Sequence, residues 1–120
     1  MRSQPLSPEA LTLVASLFRA LSEPSRLRLV QALQAGERSV SELVALSETT
    51  QPNVSKHLRV LQDAGLVARR QEGITAYYRV ADPLALELCD LVCSRLADRL
   101  TDQARLLTGR RRRVRARRTG

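Results

Sequence analysis

The strongest constraint on the fold is a change in the spacing of apolar residues after Gly65. Before this glycine, apolar residues recur every three or four positions, which is the spacing of amphipathic helices. After it, the stretch LVARRQEGITAYYRV holds two short β-prone runs around Gln71-Glu72-Gly73, which predicts a β-hairpin. A final helical pattern follows. The chain is therefore predicted to be mainly α with one small hairpin, in the order α-α-α-α-β-β-α.

Capping residues predict where these helices begin and end. A serine, threonine or aspartate before a helix satisfies its free N–H groups, and proline is tolerated in the first turn. An S-x-x-E pair forms a capping box, and glycine favours a C-terminal stop. The predicted helices are residues 8–21 after Ser7, Pro24 to a stop at Gly36, about 40–46 with the box Ser39/Glu42, Gln51 to a stop at Gly65 after Thr50, and Asp82-Pro83 to about residue 108.

The third and fourth helices, joined by the turn SETT, form a candidate helix-turn-helix. The outward face of the fourth helix is polar, with side-chain types that contact phosphates and base edges. The hairpin carries arginines and suits a wing laid along the DNA backbone or minor groove. A solvated helix face without further function is the alternative. The candidate DNA-binding residues are Thr50, Gln51, Asn53, Ser55, Lys56, His57, Arg59, Arg69, Arg70 and Thr75.

His57 is the single histidine of the chain. We interpret it as a residue of the DNA face or of the packing, rather than as a metal ligand.

Three motifs in order carry a resemblance to a known family: the Pro-Ser-Arg-Leu-Arg opening of the second helix, the segment QPNVSKHL, and the step DAGLV into the hairpin. Over about residues 10–100 the chain resembles the winged-helix repressors of the ArsR/SmtB group. The resemblance implies a winged helix-turn-helix homodimer built by its first and last helices. Two recognition helices would enter successive major grooves of double-stranded operator DNA, and an inducer would weaken that binding.

The resemblance also suggests where an inducer could bind. One arsenic site of the group uses a Cys-x-Cys pair on the third helix, but residues 42–46 read ELVAL and contain no thiol. A site for zinc, nickel or cobalt uses aspartate and histidines on the last helix, where this chain has Asp82 but no histidine. Neither site is therefore present.

Both cysteines of the chain, Cys89 and Cys93, lie one helical turn apart on the predicted last helix. They share a stripe with leucines that is expected to meet the partner chain, so packing as small apolar residues is one interpretation. Residues at this spacing have Cβ atoms about 5–6 Å apart, whereas a disulfide requires about 3.5–4.5 Å. Thiolates select soft ions, and such an ion can bridge the wider gap. Two thiols at this spacing favour a sensing site.

Ligand number then ranks the candidate inducers. Tetrahedral zinc takes four ligands, and two thiols supply half of them. A trivalent metalloid takes three, which two thiolates and a water or partner group provide. We therefore expect antimonite or arsenite as inducer and no constitutive cofactor. Cadmium, lead or mercury come next, followed by persulfide or oxidant sensing through the same cysteines.

The charge of the chain is concentrated at its C-terminal end. Seven arginines in residues 110–120 account for all but one of the eight net positive charges. We expect residues 1–109 to form the DNA-binding and dimerisation domain and residues 110–120 to form a disordered tail. Such a tail binds phosphate backbones without reading sequence. A non-specific nucleic-acid-binding protein driven by this tail is therefore the alternative of another class.

Composition argues against other classes. No stretch is apolar enough for a membrane span or a secretory signal, so the two cysteines predict reduced thiols in the cytoplasm. The chain lacks a Gly-rich phosphate loop and a catalytic partner for its histidine, so an enzyme is not expected. The three aromatic residues, Phe18, Tyr77 and Tyr78, are too few for a base-stacking platform.

Overall fold

The computed structural model describes residues 5–108 and confirms the predicted fold class, with one additional short strand. The predicted tail, residues 110–120, and the predicted domain end at residue 109 lie outside the described residues. The helices are α1 (Pro8–Leu21), α2 (Pro24–Ala32), α3 (Val40–Leu46), α4 (Gln51–Asp63) and α5 (Leu84–Thr108), and the strands are β1 (Arg38–Ser39), β2 (Val67–Glu72) and β3 (Thr75–Val80).

The predicted caps are confirmed at the start of the helix-turn-helix. Ser39 Oγ accepts from the Glu42 amide at 3.1 Å, and Glu42 Oε1 accepts from the Ser39 amide at 2.8 Å, which completes the capping box. Thr50 Oγ1 accepts from the Asn53 amide at 3.4 Å at the start of α4. These side chains satisfy N–H groups that have no partner inside the helix, so both helices begin where the sequence indicates.

The end of α2 differs from the prediction. The α-helix ends at Ala32, and one 3-10 turn, Leu33–Ala35, leads to Gly36. Gly36 has a φ of 138°, which a residue with a side chain rarely adopts. The next residues form β1, which pairs antiparallel with β3 through Arg38↔Tyr78 and Ser39↔Tyr77. The prediction missed β1 because two residues are too few to produce an alternating pattern.

The hairpin is confirmed as two six-residue antiparallel strands. Pairing runs from Val67↔Val80 to Glu72↔Thr75, and the three strands are ordered β1-β3-β2. The turn consists of two residues, and Gly73 at its first position has a φ of 62°. Glycine adopts this conformation without steric cost, so it fixes the tight turn and the strand register.

The core of the helical layer is apolar and closely packed. Leu43 of α3 and Leu58 and Leu61 of α4 are 0% exposed. Val54 of α4 and Leu29 and Val30 of α2 are also buried. One face of each helix therefore holds the helix-turn-helix against α2, and the opposite face of α4 stays in solvent.

The chain falls into two compact units, with the boundary between Leu86 and Glu87. The first contains α1 to α4 and the sheet, and the second contains most of α5. Asp82 Oδ1 accepts from the Leu84 amide at 3.0 Å, which is consistent with the predicted cap at the start of α5. The prediction of a single domain over residues 1–109 stays a prediction. Among the described residues, no helix is long and apolar enough to cross a membrane.

Candidate nucleic-acid interface and candidate thiol site

An open cleft of about 880 Å³ separates the outer face of α4 from the β2–β3 hairpin. It brings together six of the residues predicted from the sequence to bind DNA. Among the other lining residues, Ser41 on α3 and Gln71 on β2 were missed as contact residues, and Ile74 at the tip of the predicted wing is 100% exposed. The six predicted residues are Gln51, Ser55, Lys56, Arg59, Arg69 and Thr75.

Two of the predicted residues have a local role in the turn. The Thr50 hydroxyl caps α4, and the side-chain amide of Asn53 donates to Thr49 Oγ1 at 2.9 Å. Asn53 is half-buried. Both side chains therefore already have partners that hold the turn between α3 and α4.

The prediction that His57 faces outward is wrong. Its side chain is 6% exposed, and Nδ1 lies 3.1 Å from Nη1 of Arg26. Burial, and after it the charge of Arg26, lowers the pKa of His57. The sequence placed His57 on the outer face because its neighbours are polar, but its position three residues after Val54 puts it on the inner face. The packing interpretation of this residue fits the structure.

Arg70 points to carboxylates within the hairpin region. Its guanidinium binds Glu37 with two hydrogen bonds, Nε to Oε2 at 3.0 Å and Nη2 to Oε1 at 2.8 Å. Nη1 also binds Glu72 Oε1 at 2.8 Å, and the Arg70 Cζ atom lies 4.6 Å from the Tyr77 ring centroid. The hydrogen bond from Arg70 lowers the pKa of Glu37, and Glu37 in turn raises the pKa of Arg70.

These contacts distinguish Arg70 from its neighbour on β2. Two carboxylates surround Arg70, whereas Arg69 donates to the neutral amide of Gln71. Arg69 lines the cleft beside α4, and within residues 5–108 no carboxylate forms an ion pair with it.

Both cysteines lie in the second unit as free thiols. Cys89 is half-buried and Cys93 is exposed. Burial raises the pKa of Cys89, and the neighbouring Cys93 and Asp90 raise it further. Among residues 5–108, no three or more histidine, cysteine, aspartate or glutamate side chains are grouped to hold a metal ion.

Comparisons with known proteins agree with this geometry. Residues 23–69 match the family model described as "Bacterial regulatory protein, arsR family". The "probable mercury resistance operon repressor" of Streptomyces lividans is 42% identical over 84 residues, 70% of this chain and 67% of that protein. The biofilm growth-associated repressor of Agrobacterium fabrum is 40% identical over 86 residues, 72% of this chain and 74% of that protein.

A solved structure extends the match to the fold. The homodimeric winged helix-turn-helix DNA-binding domain from Mycobacterium bovis, determined by NMR in solution, has a TM-score of 0.70 and 32% identity. The match covers 83% of this chain and 94% of that one. The chain thus belongs to the ArsR family, and it is a DNA-binding transcriptional repressor of the ArsR/SmtB type rather than an enzyme.

Proposed function

We propose that this repressor is released from its operator by a thiophilic inducer bound by Cys89 and Cys93. The observation that carries the proposal is the placement of two free thiols one turn apart on α5, with Cys93 exposed to solvent. Soft ions prefer thiolate ligands, and this spacing suits a bridging ion better than a disulfide. The name of the Streptomyces relative, which refers to mercury resistance, supports an inducer of this class.

The first candidates are antimonite and arsenite. Each carries three hydroxyl groups, and two thiols displace two of them with release of two waters, leaving one oxygen ligand on the metalloid. That stoichiometry needs only the two cysteines of one chain. The absence of a three-residue cluster within residues 5–108 is consistent with it. A group from the partner chain could replace the remaining oxygen.

Mercury(II) is the second candidate, favoured by the identity to the Streptomyces repressor. Two thiolates satisfy this ion, and the two thiols lose their protons when it binds. Cadmium, lead and persulfide or oxidant sensing use the same pair of sulfurs. They are alternative outcomes of the same titration.

For DNA binding we propose a homodimer formed through α1 and α5. Both helices present exposed apolar side chains in the single chain, among them Leu11 and Phe18 on α1 and Leu96 and Leu100 on α5. Burying them against a second chain would remove this surface from water. Two recognition helices about 34–36 Å apart then fit successive major grooves. An inducer that shifts α5 would change this separation and weaken binding.

Within each protomer, the residues that line the cleft are proposed to contact DNA. Lys56, Arg59 and Arg69 supply the positive charge for phosphates, and Gln51 is placed for a base edge. Thr50 and Asn53 stabilise the turn between α3 and α4, and Arg70 stabilises the hairpin through its hydrogen bonds to Glu37.

Release from DNA tests the cysteine site. A fluorescent duplex, enriched from a randomised pool by the wild-type protein, is titrated in the bound state with antimonite, arsenite, mercury(II), cadmium, zinc and a persulfide donor. Cys89→Ser and Cys93→Ser should bind this duplex as wild type does and resist release, whereas Ser94→Ala, the matched control, should respond normally. Release of both cysteine variants at wild-type inducer concentrations would refute the site.

The alternative class is tested by truncation. A repressor lacking residues 110–120 should keep its preference for the enriched duplex over random duplex, even if both affinities fall. A protein driven by the tail would lose most of its affinity for both duplexes.

A further inference from the structure

We call α1 to α4 together with the three-stranded sheet, residues 8–80, the recognition unit. At the inner face of α4, the guanidinium of Arg26 on α2 contacts two other elements of this unit, α1 and α4. Arg26, in the first turn of α2, donates from Nε to the Ala20 carbonyl at 2.6 Å and from Nη2 to the Arg19 carbonyl at 3.2 Å. Its remaining nitrogen, Nη1, lies 3.1 Å from Nδ1 of His57 on α4. The last turn of α1, the start of α2 and the middle of α4 therefore meet at this side chain.

The chemistry of the two side chains determines how they pair. Arginine has five N–H donors, no acceptor, and a charge that it keeps at any ordinary pH. Nδ1 of His57 must therefore accept the hydrogen bond, which requires a neutral imidazole with its proton on Nε2. A protonated ring would place a donor against a donor and a positive charge against another.

Arg26 also provides hydrogen-bond donors for the free carbonyl groups at the C-terminal end of α1. The last carbonyls of a helix lack partners inside it, and a cation near them is favourable. Arg26 supplies N–H donors and a positive charge to the carbonyl groups of Arg19 and Ala20. Because His57 is 6% exposed and adjoins Leu58, which is 0% exposed, its position is tightly constrained by packing. The preceding residue, Lys56, lines the cleft that is proposed to contact DNA.

We propose that Arg26 is a positioning residue for DNA recognition, and that it holds α4 in register with the end of α1 through a neutral His57. The inference rests on the DNA-binding function of the family and not on the proposed cysteine site. Loss of the contact would leave the charges of the cleft in place but move the helix that carries them. Discrimination between operator and random duplex should therefore suffer more than affinity for random duplex.

The surroundings of His57 determine the direction of the pH effect. Its pKa is lowered from the ordinary value of 6.5 by burial first, then by Arg26 and by Lys56, while Glu23 opposes them. Arg28 and Glu48 line a small cavity beside the ring. Since the folded protein holds this pKa below its unfolded value, the contact is complete above pH 6.5 and is lost as the pH falls through the lowered pKa.

Three variants of the full chain separate positioning from charge. Arg26→Gln removes the fork of donors, and Arg28→Gln removes the same charge from an exposed site on the same helix. His57→Asn keeps an acceptor oxygen near the position of Nδ1 but cannot titrate. Affinity for the enriched duplex and for random duplex is measured by anisotropy at several pH values from about 7.5 down to about 4.5, because the pKa of His57 is lowered from the ordinary histidine value. Thermal melting confirms that each variant is folded.

At pH about 7.5, Arg26→Gln should lower affinity for the enriched duplex about tenfold, the equivalent of one charge-assisted hydrogen bond. Arg28→Gln should change this affinity less than about threefold, in the range of a surface charge. Wild-type affinity should fall as the pH drops below the ordinary histidine pKa of 6.5 and through the lowered pKa of His57, and His57→Asn should flatten this fall.

Equal losses in the two arginine variants would overturn the proposal, as would an unchanged pH profile in His57→Asn. If Arg26→Gln does not fold, the profiles of wild type and His57→Asn decide the question.

Discussion

The recognition unit and α5, the helix that carries the thiols, differ in how far their apolar side chains are buried within one chain. In the recognition unit, Leu43 and Leu58 are fully buried, and Thr49, Thr50 and Asn53 at the turn form hydrogen bonds. On α5, Leu91, Leu96 and Leu100 are each more than 40% exposed. The first region is complete within the chain, whereas the second presents an apolar surface that a second chain would cover.

The largest expected difference between the two regions is in stability. Leu58→Ala should lower the free energy of unfolding by about 2–5 kcal/mol, because it empties a closely packed site. Leu100→Ala, at a side chain 62% exposed, should change the stability of the dissociated chain by about 0.5 kcal/mol or less. Urea unfolding, extrapolated to low protein concentration, measures both. Similar costs for the two variants would show that α5 is as tightly packed as α4.

A second prediction separates the two candidate inducers by their proton balance. Mercury(II) displaces protons from both thiols, so its apparent affinity should rise up to about a hundredfold per pH unit below their pKa values. Antimonite and arsenite exchange hydroxyl for thiolate with release of water, so their binding releases no net protons. Because the pKa of Cys89 is raised, the rise for mercury should persist to higher pH than for an ordinary thiol.

Calorimetry in two buffers of different ionisation enthalpy counts these protons directly. A mercury complex that releases none, or an antimonite complex that releases two, would contradict the thiol chemistry proposed for the site.

The third prediction concerns two arginines of the recognition unit. Arg59→Gln should weaken binding to the enriched duplex about tenfold and reduce the slope of log affinity against log salt by about one, as expected for one lost phosphate contact. Arg70→Gln should leave the slope unchanged, because two carboxylates already neutralise this side chain. Anisotropy over a range of salt concentrations gives both slopes. A reduced slope for Arg70→Gln would place that residue on the DNA.

The smallest effect is expected at the partner of Arg70. Glu37→Gln removes the two-point contact that holds the guanidinium and leaves Arg70 more available to phosphates. Affinity for random duplex should therefore rise, by less than about threefold, since exposed ion pairs contribute little. Glu9→Gln on α1 is the control for net charge, and an equal rise in this variant would remove the special role of Glu37.

The difference between the regions also explains what sequence could predict. Caps and glycines act within a few residues, so Ser39, Thr50 and Gly73 located the helix-turn-helix and the wing. β1 and the Arg70–Glu37 pair depend on contacts between segments more than thirty residues apart, which no local pattern encodes. His57 was misplaced for a different reason: its polar neighbours favoured the outer face, although its position three residues after Val54 puts it on the inner face.

The proposed thiol site, in contrast, depends on two residues that are close in sequence. The two cysteines of the proposed site could be paired from spacing alone, because residues four apart on a helix share a face. Spacing does not supply a third ligand, and residues 5–108 group no further histidine, cysteine, aspartate or glutamate with the two thiols.

The most direct test follows thiol reactivity and DNA release in the same sample. Operator-bound protein is titrated with antimonite, and anisotropy is read in parallel with the number of thiols that still react with a chromogenic disulfide reagent. Release from the operator should track the protection of two thiols per chain. Release with Cys89 and Cys93 still reactive, or protection of both without release, would contradict this prediction.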